Sequence, residues 1–492
     1  MIASASIPNP KSRIQKAPLV LLGMAALSAL IYWFGLTQPY LLLELYQQPL
    51  LDLRKLTEGY PEKLWPLVIE FVILFVLYLA AWQIVRRVHA RSIWLIVIGS
   101  AVVFGVILLF MYPYDAADVF DYIMYGRIIN VYQANPFREV AAQFPNDPFY
   151  PYAGWRNAIA AYGPGWIITT AFGGRLAGDA VLANVLVFKV ILAAFLAGCA
   201  GLIAAILRRL APDRALAGVA LFLWNPVVLY ETIGQGHNDV AMLFWMLLAV
   251  WLLLQKRYTL TIVALLIGAL FKYIPVLFIP AALAIALRDL GATRSRLRYL
   301  GVTAIVSIAL VVLAYAPFWN GLETLSIARR ANLYTTSLPA VAFNLLQLSS
   351  SRENAARTVS LTALAITAIA ALIAAWQARR DRSNLSFARS MFTLTAFYLL
   401  VTVPWFHAWY AVWLIGLAAL LPIGHAVNLA LIFSFAVLSK PLLFGPQLLW
   451  PTRPPEESRL IEAYLGPLVL ALPWLYAIYA LFDTWHKRRH RT

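Results

Sequence analysis

Three carboxylates, Asp115, Asp118 and Asp121, fall within seven residues directly after an apolar stretch running from Ile93 to Met111. A charge at such a membrane exit is costly if it faces lipid and is usually functional when it faces a cavity. Asp118 and Asp121 are three apart and share one face of a helix, with Asp115 just before that turn. A carboxylate there can take a proton from a hydroxyl or hold a cation. Asp also caps helices and complements their first turn, which is the plainer use of the same residues.

Four further groups carry polar chemistry in apolar surroundings. Gly234-Gln-Gly-His237-Asn238-Asp239 opens an apolar run and follows Glu231; one cap would not need so many polar side chains. Lys272 lies between two short apolar stretches, beside Tyr273 and Pro275, where an ammonium either snorkels to the interface or offers a point charge to a phosphate. Pro404-Trp-Phe-His407-Ala-Trp409-Tyr410, with Trp413 one turn on, suits an interfacial aromatic belt or a sugar-binding surface. Arg329 and Arg330 stand in an outward segment against the charge trend, as candidates for an anionic headgroup or phosphate.

The elements that must hold these groups are membrane spans. Of 492 residues, 62% are hydrophobic and 12% charged. The apolar runs match bilayer thickness. They lie near 18–37, 65–85, 92–112, 182–207, 215–232, 239–255, 299–317, 358–377, 385–403, 426–444 and 460–482. Shorter runs near 259–272, 274–287 and 408–422 bring the expectation to about 11 to 14 crossings. The first two of these flank Lys272–Pro275, a charge and a helix breaker, so a hairpin or broken helix is expected. The first run continues to about Leu36 without a small-residue cleavage signal and reads as an anchor. The lone Cys199 lies inside a span, which excludes disulfides and zinc clusters.

The net charge of +17 is not a nucleic-acid footprint. The short connections Arg86–Arg91, Arg208–Arg214, Lys256–Arg257, Arg288–Arg298 and Arg379–Arg382, with both termini, hold 22 of the 39 Lys/Arg but only 4 of the 22 Asp/Glu. That segregation is the positive-inside rule and sets both termini in the cytoplasm. The opposite side then receives 38–64, 113–181, 318–357 and 445–459. The second is the largest, and its pieces Val119–Val131 and Trp166–Leu176 suit helices lying in the interface. No internal repeat or linker divides the chain, so residues 1–492 read as one integral domain.

In order along the chain, Asp118-Val-Phe-Asp121-Tyr122, Gly126, Asn135-Pro136-Phe137, Tyr162-Gly163-Pro164, Asn225-Pro226, Gly236-His237-Asn238-Asp239, Lys272 and Trp405 to Tyr410 resemble the GT-C superfamily of polytopic glycosyltransferases. The nearest resemblance is to the bacterial polyprenyl-phosphate-mannose-dependent α-1,6-mannosyltransferases, over about residues 90–415. The resemblance implies an all-α, polytopic fold of GT-C type, with 113–181 as a large non-cytoplasmic catalytic loop. It implies inverting transfer of a hexose, most readily mannose, from a polyprenyl phosphate to a lipid- or glycan-linked acceptor at the cell membrane, with the active site on the non-cytoplasmic face.

By the same resemblance Asp118 is the base, with Asp115 its rival and Asp121 beside them. Lys272, His237, Asn238, Asp239, Tyr122, Arg127, Tyr162, Arg329, Arg330, His407, Trp409 and Tyr410 serve the donor phosphate and sugar. No metal ligand set is expected; a divalent cation such as Mg2+ or Mn2+ is compatible but not required, because basic side chains can neutralise the phosphate. The expected partners are the donor, the acceptor and membrane lipids, not nucleic acid. A flippase for a lipid-linked saccharide would spread polar residues through the full membrane depth, whereas here they cluster at one boundary. A catalytically inactive scaffold of the same fold would not need the carboxylates.

Overall fold

The computed structural model describes residues 10–58, 60–88, 90–324, 333–439 and 464–489. It is all-α: among the described residues extended pairing is limited to three isolated bridges. Seven helices are long and apolar enough to cross a membrane, namely Lys16–Tyr40, Glu62–Val85, Arg91–Leu109, Val181–Leu210, Thr293–Phe318, Arg352–Arg380 and Gly466–Lys487. Counted as one span, the pair Pro212–Leu223 and Pro226–Gly234, bent by 55°, makes an eighth. The higher sequence expectation of about 11 to 14 also counted runs that fold as shorter apolar helices, Asp239–Leu254, Tyr258–Ala269, Ala408–Ala418 and His425–Leu438. Ile305, Ile308 and Leu313 stand exposed along one of the long helices, apolar side chains that only lipid would cover. The chain is a polytopic membrane protein.

Helix breaks occur where the sequence removes a backbone donor. At Asn225-Pro226 the proline has no N–H, and Asn225 Oδ1 accepts from the N–H of Val227 (3.0 Å) and from Ser434 Oγ (2.9 Å), which pins the bend to a neighbouring helix. The Lys272–Pro275 breaker separates Tyr258–Ala269 from a 3-10 turn, Ile274–Phe278, that leads into Ile279–Asp289. The break falls where the sequence predicts a hairpin or broken helix, with Lys272 between the two helices.

The exit of Arg91–Leu109, which carries the acids, is held from two sides. Tyr112 N donates to Tyr40 O at 2.8 Å and Leu42 N to Phe110 O at 2.7 Å. Lys189, fully buried in Val181–Leu210, turns its ammonium onto the carbonyls of Leu108 (3.2 Å), Leu109 (3.4 Å) and Met111. Leu108 O also accepts from Met111 N at 3.2 Å, and the ammonium completes the group of carbonyls at a helix end, where intrahelical donors run out.

The helix Asp118–Asn130 departs from expectation. It does not lie amphipathically in the interface, because every residue from Val119 to Ile128 is buried. It packs beneath Pro164–Ala177 so closely that a Cβ on Gly126 would meet the carbonyl oxygen of Thr170 at 2.5 Å. The covering helix is the one with an outward apolar face, formed by Ile168, Phe172 and Leu176. A further helix, Leu338–Gln347, was not legible as a span; Ser337 caps it by accepting from Ala340 N at 3.1 Å.

Candidate active site

At one end of the bundle a cavity of about 540 Å³ is bounded by the exit of Arg91–Leu109 and the start of the next helix, by Trp155 and Tyr162, by the break at Lys272, and by Tyr398 to Trp413. Asp115, Asp118, Asp121, Tyr162, Lys272, His407, Trp409 and Tyr410 all line it. Segments separated by up to 298 residues in sequence, from Asp115 to Trp413, thus meet in one pocket.

Asp118 is the first residue of its helix, where the unpaired N–H groups favour a negative charge. Tyr162 Oη donates to its Oδ1 at 2.6 Å, and Tyr122 Oη lies 3.4 Å from Tyr162 Oη. The other oxygen, Oδ2, lies 4.0 Å from His237 Nε2. The far ring nitrogen of His237 is 3.0 Å from Glu231 Oε2, so the imidazole stands between two carboxylates. Burial alone would pull the pKa of His237 down; the hydrogen bond and charge of Glu231, with Asp118 and Asp239 behind it, outweigh burial and raise it. The loop that presents His237 is closed by His237 N donating to Glu231 O at 3.0 Å and turns through Gly236, whose φ of +79° favours glycine.

Lys272 Nζ is 2.5 Å from Asp239 Oδ2, and Asp239 Oδ1 accepts from Trp413 Nε1 at 2.6 Å. The same ammonium stands 5.6 Å from the ring centres of Tyr162 and Tyr410. Asp239 is only 1% exposed, so it is a wall residue that aims the lysine and does not itself face the cavity. An ammonium has three donors, and this carboxylate takes one.

The remaining expected residues divide by placement. His237, Asn238 and Asp239 are buried behind the cavity wall, where they reach a ligand only through Asp118 and Lys272. Asn238 is buried with neither side-chain polar atom hydrogen-bonded among the described residues. Asp121 Oδ1 accepts from the N–H groups of Gly154 and Trp155, both at 3.0 Å, so this acid organises the loop as well as lining the pocket. Tyr122 is packed against Tyr162 and Trp166. Arg127 is not brought to the cavity. Its guanidinium binds Asp147 Oδ1 and Oδ2 at 2.8 Å and Asp179 Oδ1 at 2.6 Å, over the ring of Phe149. The ion pairs with Asp147 and Asp179 account for a charge in this buried helix without any ligand. Arg329 and Arg330 lie outside the described residues.

Sequence reading missed Trp155, Tyr273, Tyr398 and the role of Trp413. Nothing local distinguishes these aromatics from the many others in the chain. His237 and His407 both stack on the indole of Trp409, with ring centres 3.8 Å and 4.0 Å away. Among the described residues no group of three His, Cys, Asp or Glu side chains converges as metal ligands.

A family model described as Alpha-(1->6)-mannopyranosyltransferase, N-terminal domain, matches residues 21–288. A stretch of 160 residues is 31% identical to Alpha-(1->6)-mannopyranosyltransferase A of Corynebacterium glutamicum, covering 31% of this chain and 31% of that protein. The matched part is thus about a third of the relative's length. The family match takes in Asp118, His237, Asp239 and Lys272, whereas the Trp405–Trp413 wall lies beyond it.

Proposed function

From the chain's membership of the Alpha-(1->6)-mannopyranosyltransferase family, we propose that it moves a mannosyl group from a polyprenyl-phosphate donor to a hydroxyl of a lipid- or glycan-linked acceptor, with inversion. The observation that carries this reading is the cavity that Asp118 and Lys272 both line at the end of an apolar span. A donor anchored by its lipid presents its sugar-phosphate at that depth. Asp118 takes the acceptor proton as the hydroxyl attacks the anomeric carbon, and the sugar–phosphate bond breaks on the opposite face through an oxocarbenium-like state. Tyr162 fixes one oxygen of Asp118 and leaves the other for the proton. Lys272, aimed by Asp239, meets the charge that grows on the departing phosphate. The phosphate leaves on its own lipid, so no nucleotide loop is required.

The test is incubation of the purified protein with radiolabelled polyprenyl-phosphate mannose, glucose or arabinose and membrane glycolipids. Label from the mannosyl donor should enter a new glycolipid product. Label that changes leaflet in vesicles without entering a product would replace transfer by lipid flipping.

The residues form one integral domain, with both termini in the cytoplasm and the cavity on the other face. In support, Arg288 Nη1 donates to the carbonyls of Ala378, Arg379 and Asp381, so two of the basic connections meet at one end. A cysteine introduced at Arg294 on a Cys199→Ser background should resist a membrane-impermeant maleimide in intact cells. Labelling from outside would reverse the assignment.

A further inference from the structure

We propose that Trp155 and Trp405 form a platform for a sugar ring of the acceptor, which deepens the transfer reading above and rests on it. Trp155 is 38% exposed although it belongs to a cavity wall, and Trp405 stands edge-to-face with it, with ring centres 5.7 Å apart and 78° between planes. Neither ring carries charge, and the cation of the cavity is held over other rings, those of Tyr162 and Tyr410. An uncharged surface of this kind is a poor place for a phosphate. It suits the C–H face of a pyranose, whose hydrogens meet the negative face of an indole. Asp115 and Asp118 in the same lining supply acceptors for the sugar's hydroxyls.

Both rings are registered to the candidate base. The backbone N–H of Trp155 donates to Asp121 Oδ1 at 3.0 Å, which fixes the segment that carries the ring, and Asp121 sits one turn beyond Asp118. Trp405 is flanked by two fixed residues: Pro404 O accepts from Ser337 Oγ at 2.8 Å, and Phe406 N donates to Thr335 O at 3.2 Å. From Trp405 a ladder of rings continues through His407, Trp409 and His237, which reaches Asp118. A sugar resting on the pair therefore sits on elements tied through the fold to the carboxylate. A mere interfacial belt would need no such coupling.

The probe is octyl α-D-mannopyranosyl-(1->6)-α-D-mannopyranoside, used with the full chain in nanodiscs. Two measurements are made on wild type and on Trp155→Ala, Trp155→Phe, Trp405→Ala and Trp405→Phe: acceptor titration at saturating donor, and equilibrium binding of the probe without donor. The alanine variants should raise acceptor KM and probe Kd together by roughly three- to tenfold, with donor KM unmoved and phenylalanine restoring part of the loss. Unchanged acceptor KM and probe Kd in both alanine variants would overturn the platform, as would a fall in donor affinity of the same size. Probe binding that depends on both tryptophans in a protein that transfers nothing would keep the platform and remove the transfer reading. Transfer that is indifferent to both would do the reverse.

Discussion

Asp118→Asn should lower mannosyl transfer by about 10²–10⁴-fold, the usual cost of removing a general base. The exchange keeps the volume, and the amide oxygen can still accept from Tyr162, so the protein should express and remain folded in detergent. What is lost is the oxygen facing His237, the one not already fixed by a phenol. Asp121→Asn should do far less, because an amide oxygen still accepts from Gly154 and Trp155. Asp115 is the informative control: it lines the cavity, and its backbone N–H donates to Gln235 Oε1 at 2.9 Å. Single-turnover rates for the three variants decide the matter. Near-normal turnover in Asp118→Asn, with a collapse in Asp115→Asn, would move the base three residues upstream.

Lys272→Ala should damage both fold and donor use. It leaves Asp239, a carboxylate with 1% exposure, with the Trp413 hydrogen bond but no counter-charge. Breaking a buried pair from one side costs about 3–5 kcal/mol, so thermal unfolding should shift clearly downward. The double variant Lys272→Ala/Asp239→Asn removes the stranded charge and should recover much of that stability. It should not recover donor affinity, since no ammonium remains to meet the phosphate in a poorly hydrated site. Lys272→Arg should rescue donor use only in part, because a planar fork approaches a phosphate differently from a point charge. Donor titrations at saturating acceptor and thermal melts on the same samples separate the two effects. If the double variant regains donor use along with stability, the lysine serves only to hold Asp239.

The parts of this architecture that were legible in the sequence are those where the bilayer makes a residue expensive. Asp118 after a greasy run, and Lys272 between two apolar stretches, declare themselves because lipid would not tolerate them. Asn225-Pro226 and Pro275 mark breaks because proline removes a donor. The direction a polar side chain takes was not legible. Arg127 looked like a phosphate ligand, but its partners Asp147 and Asp179 lie far along the chain, and only folding shows that they claim it. His237 and Asp239 were expected at the phosphate; the structure buries them one layer behind the cavity lining, next to Asp118 and Lys272. The burial of Asp118–Asn130 was hidden for the same reason, since its moderate polarity gives no hint that another helix will cover it.

The ammonium of Lys189 bears on how the protein is made. Its carbonyl partners lie 78 to 81 residues earlier in the chain. When the segment carrying Lys189 leaves the ribosome, the helix whose end it must satisfy has already been synthesised. A charge that would resist integration as a solitary span can therefore be delivered to waiting acceptors, and the order of the two segments lets integration of the second complete the first. Exchanging their places in the chain would ask the translocon to accept an unpartnered cation first.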